Sequence, residues 1–426
     1  MSLARSLPDL TDGFDLIDSG AYGENGPPHD SWTALRRHSP VHRCEPPNYP
    51  PFWAITRHAD ICEISRRPET FLNEPGIVMV KSDEIFDRNE GIGAMRTIIE
   101  MDPPKHRSFR KVAAPWFTPR ALARIDAAVD ESARAIVDHL ASRTDANGVG
   151  ECDFATEVAT AHPLRILSSV LGVPRSEEPR ILRLTNQLFG ADDADLQRPG
   201  EDRQQAIREL GLELFQLFSG IVEDRRKSPR DDLATILAHG QVDGAPMGAL
   251  ETFGYYLITF TAGHDTTKNA LAGGMNALIE NPGELARLRR NPDLVPHAVE
   301  EVVRWATPVN YMKRTLAHDV EFRGQKMRKG DECALFYASG NRDEDVFDEP
   351  FRFRIDRDPN RHVGFGHGEH FCLGAHLARR SQRALFAEIS RRLEHVERTA
   401  TPKWISSSFV VGYKNLPIRY RVARGA

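Results

Sequence analysis

Along most of the chain apolar residues recur at three- and four-residue intervals, the spacing of one buried face on a helix. The stretch PRALARIDAAVDESARAIVDHLASR, 119–143, reads as one long amphipathic helix, and the same spacing predicts helices at 31–38, onward from 57, and at 163–172, 178–189, 203–226, 231–238, 247–280, 283–290 and 294–305. Another helix is expected just after Cys372, and Pro103 and Pro104 stand where a helix N-terminus tolerates proline. Strand signals are short: PFWAIT at 51–56, DVEFRG, DECALFY, and a terminal hairpin in SSSFVVGYKNLPIRYRV, 406–422. Residues 1–50 are rich in Pro, Gly and Asp and read as largely irregular. The pattern predicts a mainly α protein with small β-sheets (α+β).

The segment 247–280 would extend about 50 Å as a helix at 1.5 Å per residue. Glu251, His264, Asp265 and Lys268 interrupt it at heavy cost to membrane insertion, so it reads as a buried core helix whose polar AGHDTT patch needs a reason.

Composition narrows the classes. The 426 residues carry 56 Lys and Arg against 61 Asp and Glu, a net charge of −5, so nothing global favours nucleic acid. No run approaches the ~20 apolar residues of a membrane anchor, and the first residues lack the apolar core of a secretory signal. Five scattered cysteines point to a reducing, cytoplasmic setting rather than a disulfide framework. A prior of about 150 residues per domain suggests two or three domains. No linker or repeat divides the chain, and a single domain over 1–426 is expected.

The strongest chemical signal is HVGFGHGEHFCLGAHLARR, 362–380. Glycines at this density let backbone approach a bulky object or adopt positive φ. Cys372 stands at a loop–helix junction, where amide N–H groups and the helix dipole favour a thiolate. The glycine spacing is not that of a dinucleotide loop. His367, His370, Cys372 and His376 are conceivable zinc ligands, though their spacing matches no common zinc motif. A single thiolate on a haem iron accounts for loop, glycines and helix together.

Phe365-Gly366-x-Gly368-x-His370-x-Cys372-x-Gly374 resembles the haem-thiolate signature of the cytochrome P450 superfamily. Four further motifs follow in the family's order. Met101-Asp102-Pro103-Pro104-x-His106-x-x-x-Arg110 resembles its bacterial propionate-binding helix, and Ala262-Gly263-His264-Asp265-Thr266-Thr267 its oxygen-activating helix. Glu301-Val302-Val303-Arg304 resembles its E-x-x-R motif, and Asn341-Arg342-Asp343 with Phe347 and Pro350 its meander. The resemblance runs from about residue 50 to the end and implies the P450 fold, with haem b held between the long central helix and the cysteine-loop helix.

It also implies roles. Cys372 is the axial iron ligand; His106, Arg110, Arg314 and His370 meet the haem propionates; Ala262, Gly263, Phe365, Gly366 and Gly374 line the haem, Gly263 leaving room for dioxygen. Asp265 and Thr266 deliver protons during oxygen activation, and Thr266 is expected to bend its helix. Glu301 and Arg304 hold the fold beneath the haem with a meander arginine, Arg342. Ile258, Thr261, Val309, Phe409 and Val410 are the expected substrate wall, apolar enough for a hydrophobic small molecule.

The chain has no segment resembling a reductase module, so a ferredoxin with an NAD(P)H-dependent reductase is the implied electron source. Lys105, Arg107, Lys111, Arg379 and Arg380, with Arg383, are the expected docking patch on an expected monomer, against the alternative of a plain solvated face. TAGHDTT, VRWATPV and KNLPIRY resemble bacterial terpene-alcohol hydroxylases, and VRWATPV and FWAIT also mycobacterial sterol side-chain hydroxylases. Fatty acids or aromatics are the alternative substrates. A non-catalytic haem-thiolate sensor and a peroxide-driven peroxygenase are the alternative functions.

Overall fold

A computed structural model describes residues 12–84, 95–189, 193, 195 and 203–423. Helices dominate: α1 (Lys105–Ala113), α2 (Asp126–Ser142), α3 (Ala161–Val170), α4 (Glu178–Phe189), α5 (Arg203–Lys227), α6 (Ala249–Glu280), α7 (Val295–Ala306) and α8 (Ala375–Arg392) form the body. The expected helix over 119–143 is instead a short turn of helix, Pro119–Leu122, a 3-10 turn, Ala123–Ile125, and then α2. Thr118 caps the first piece by accepting from the Ala121 N–H, and Leu122 turns fully inward. Apolar spacing alone does not register that break.

Strands β1 (Val41–Cys44), β2 (Phe52–Ile55), β3 (Phe71–Leu72), β4 (Val149–Asp153), β5 (Tyr311–Leu316), β6 (Glu332–Phe336), β7 (Leu393–Arg398) and β8 (Pro417–Val422) build two sheets. In the larger, ordered β1-β2-β6-β5-β3, β6 runs parallel to β2 with Leu335 opposite Ile55, and antiparallel to β5 with Phe336 opposite Tyr311. The smaller is β7-β8-β4. The expected hairpin over 406–422 is not formed. Tyr413–Asn415 pairs back to Lys403–Trp404, while β8 is drawn between β7 and β4. The reason is burial: Leu416, Ile418 and Tyr420 enter the core that α6 and α8 share.

The central helix α6 packs on α3, α7 and α8 and buries Tyr256, Phe260, Leu271 and Met275 completely. No helix among the described residues is long and apolar enough to cross a membrane.

Candidate active site

Between α6 and the loop leading into α8 lies a cavity of about 220 Å3, lined by residues from Asn73 to Gln382. The loop is shaped by its glycines. Gly366 and Gly368 take φ of 72° and 71°, and a Cβ on Gly368 would stand 2.2 Å from the Ser65 carbonyl oxygen. Gly374 differs: it lines the cavity, and a Cβ there would meet no atom within 4 Å. Its missing side chain leaves the cavity floor flat.

Cys372 N–H donates to the Phe365 carbonyl (2.9 Å), and the sulfur is reached from the cavity. Burial pushes the Cys372 thiol up, while the Gly374 N–H and the charges of Arg110 and Arg379 pull it down. The expected bias toward thiolate is thus present but outweighed by desolvation. A metal ion at the sulfur reverses that balance, because a coordinating thiol is deprotonated outright. Among the described residues no three His, Cys, Asp or Glu are arranged to hold a metal ion, so the zinc alternative finds no ligand set.

At one end of the cavity His106, Arg110, Arg314 and His370 converge. The His106 and His370 rings lie 4.0 Å apart, centroid to centroid. Burial, reinforced by His106, Arg314 and Arg110, holds His370 down at about 2, and His370 Nε2 has no hydrogen-bond partner. Burial and Arg110 likewise lower His106, whose Nδ1 stands 3.5 Å from Glu369 without a hydrogen bond. Two buried ring nitrogens without partners, His106 Nδ1 and His370 Nε2, set beside the guanidinium groups of Arg110 and Arg314, fit an anionic ligand. Haem, with two carboxylates and a flat macrocycle, fits both this end and the floor at Gly374.

Helix α6 faces the cavity along one stripe: Ile258, Thr259, Ala262, Gly263, Thr266, Thr267 and Ala270. The helix is uninterrupted through this stretch; Thr266 Oγ donates to the Ala262 carbonyl at 2.5 Å without breaking it. A Cβ on Gly263 would lie 3.0 Å from Leu167 Cδ2, so this glycine also allows α3 to approach α6. Asp265, rotated off the stripe, is buried outside the cavity lining, its Oδ1 3.5 Å from His264 Nδ1.

Of the expected substrate wall, Ile258 and Val309 line the cavity. Thr261, Phe409 and Val410 do not. Thr261 is about 100° around the helix from Ala262 and bonds back to the Leu257 carbonyl (2.7 Å). Phe409 packs edge-on against Tyr311, and Val410 is buried while its backbone bridges Val309. Sequence reasoning missed Ile98, Ile99, Phe117, Ile166, Leu167 and Met312 in the wall, which come from separate elements with no shared motif.

Beneath the loop, Glu301 and Arg304 form a fully buried ion pair at 2.7 Å. The arginine that joins Glu301 is Arg357 (3.1 Å), not Arg342. Arg342 instead donates to the Arg304 and Trp305 carbonyls at the end of α7 and stacks over Trp305. The expected docking patch is largely neutralised: Arg107 pairs with Glu369, Arg379 with Glu300, and Arg380 with Asp126. Arg383 is 3.8 Å from Glu300, which leaves Lys105 and Lys111 as exposed cations with no ion pair among the described residues.

A cysteine-loop sulfur that opens into an apolar cavity and faces a long helix across it, with a basic cluster at one end, defines a haem-thiolate oxygenase. The chain belongs to the cytochrome P450 family, whose sequence profile matches residues 72–421. It is 36% identical to cytochrome P450-terp of Pseudomonas sp, over 99% of this chain and 100% of that protein. It is likewise 36% identical to a methyl-branched lipid omega-hydroxylase of Mycobacterium tuberculosis, over 92% of this chain and 90% of the other. Among solved structures, CYP108D1 from Novosphingobium aromaticivorans superposes with a TM-score of 0.87 at 36% identity, covering 96% of this chain and 98% of that one. The protein is a P450 monooxygenase, and haem iron is its cofactor.

Proposed function

We propose that this monooxygenase hydroxylates a branched hydrophobic small molecule, terpenoid or steroid-like, with dioxygen and electrons from a separate ferredoxin and its NAD(P)H-dependent reductase. The overall reaction joins R–H, O2, two electrons and two protons to give R–OH and water. Thiolate-ligated haem supplies the oxygen activation. Cys372 holds the iron, and His106, Arg110, Arg314 and His370 hold the two propionates. Thr266 and Asp265 carry protons toward the cavity, while Glu301, Arg304, Arg357 and Arg342 brace the floor. Lys105 and Lys111 offer the ferredoxin its free positive charge. We take the chain to work as one domain, a monomer in the cytoplasm.

The observation that carries this reading is the cavity itself, which brings Cys372, the four-donor cluster and Thr266 together under an apolar wall of Ile98, Phe117, Leu167 and Val309. The methyl-branched substrate in the name of one relative supports the substrate class.

The test is spectral titration of purified holoprotein with terpenoids, steroids, fatty acids and aromatics, followed by turnover with ferredoxin, reductase and NAD(P)H. Tightest binding and product from a terpenoid or steroid are expected. Turnover with peroxide but not with the electron-transfer chain would overturn the proposal.

A further inference from the structure

We propose that Glu300 is a positioning residue for the haem ligand: it fixes the Arg379 guanidinium over the Phe365 ring, and this held charge sets how readily the haem is reduced. The inference rests on Cys372 as the iron ligand and goes beyond it.

Three segments meet at Glu300. From α7 its carboxylate accepts a forked bond from Arg379 on α8, Nε to Oε1 at 2.7 Å and Nη2 to Oε2 at 2.8 Å. His362, at the head of the cysteine loop, brings Nε2 to 3.1 Å from the same carboxylate. The Gly364 N–H in turn donates to His362 Nδ1 (3.2 Å), so the chain just before Phe365 is tied down as well. A forked guanidinium–carboxylate pair fixes direction as well as distance.

That direction matters because of what Arg379 faces. Its Cζ stands 4.5 Å from the centroid of the Phe365 ring, and the Phe365 carbonyl accepts from the Cys372 N–H at 2.9 Å. Phe365 and Cys372 line the cavity; Glu300 and Arg379 do not, so they act through that ring and that sulfur. Arg379 is 21% exposed, and an apolar ring, not open solvent, lies on its cavity side. In such a medium a charge acts with more force than in bulk water. Burial raises the Cys372 thiol, and the Arg379 charge is among the groups that pull it back. Reduction adds negative charge at the iron, so a cation held here favours it and the Glu300 carboxylate opposes it.

The experiment is spectroelectrochemical titration of the substrate-free holoprotein in wild type, Glu300→Gln, Arg379→Gln and the double variant. Glu300→Gln should shift the reduction equilibrium several-fold toward the reduced haem, and Arg379→Gln several-fold the other way. The double variant, with the net charge restored, should return toward wild type. Loss of a merely structural bridge moves all three variants in one direction; that result, or three unshifted potentials, overturns the proposal. If the glutamine variants fail to take up haem, Arg379→Lys decides, since it keeps the charge but not the fork. A haem harder to reduce than wild type supports the proposal, and an equal potential overturns it. Failure of the iron assignment shows separately, as a wild type whose reduced carbon monoxide complex lacks the thiolate-type absorption.

Discussion

Arg304 lays its guanidinium flat against the Glu301 carboxylate one helical turn away, Nε to Oε2 and Nη2 to Oε1 both at 2.7 Å, with neither side chain exposed. The remaining valences are filled. Arg304 also donates to the Asn341 and Pro350 carbonyls, and Glu301 accepts from the Arg354 N–H, Arg357 and Asn360. This pair ties α7 to the loop that carries Cys372. Removing one partner strands a buried charge, so Glu301→Gln or Arg304→Met should lower stability by about 3–5 kcal/mol. The denaturant midpoint of the purified variants is the check, and an unchanged midpoint would refute this role.

Cys372→His should abolish the thiolate-type absorption of the reduced carbon monoxide complex while leaving the fold measurable by circular dichroism. An unaltered spectrum would remove Cys372 from the iron.

Arg314 and His370 are predicted to hold propionates, and a charge-assisted bond is worth about 1.5–3 kcal/mol. Arg314→Leu should therefore lose haem about tenfold faster or more, followed as haem transfer to an acceptor protein. The double variant with His370→Phe should lose it faster still. Retention at the wild-type rate would detach this cluster from the cofactor.

Thr266→Ala deletes the hydroxyl on the cavity stripe without opening a core void. Product per NAD(P)H should drop, with the missing electrons recovered as peroxide or water. Full coupling in this variant would contradict proton delivery through Thr266.

Glu300 gives a pH signature. Burial opposes its charge, but His362 (3.1 Å) and Arg379 (2.7 Å) prevail and bring it down to about 2. Its folded-state value lies below the ordinary glutamate value of about 4.3. Its contribution to stability is therefore complete above that value and is lost as pH falls from about 5 toward 2. Glu300→Gln should flatten the stability curve across that window and lower stability at pH 7. Identical acid limbs for both proteins would remove the assignment.

Much of the fold and site is legible in local sequence because the interactions involved are local. The three- and four-residue rhythm of 249–280 is intrinsic to one helix, and the glycines around Cys372 answer to backbone geometry within a few residues. Glu301 and Arg304 meet because they are three apart on α7. The break at 123–125 was not legible, since it depends on where Leu122 finds the core.

What the sequence by itself determined was a set of residues that the fold then gathers round one cavity: Cys372, the four basic residues His106, Arg110, Arg314 and His370, and the stripe on α6. Only the tertiary structure decided the partners. Arg357, rather than Arg342, reaches Glu301, and Thr261 turns from the cavity that Thr259 and Ala262 face. Ile98, Phe117 and Leu167 join one wall from three different segments, and β8 leaves its expected hairpin to pair with β4. Such choices follow from side-chain packing between elements far apart in the chain, where a neighbour is set by burial and not by spacing.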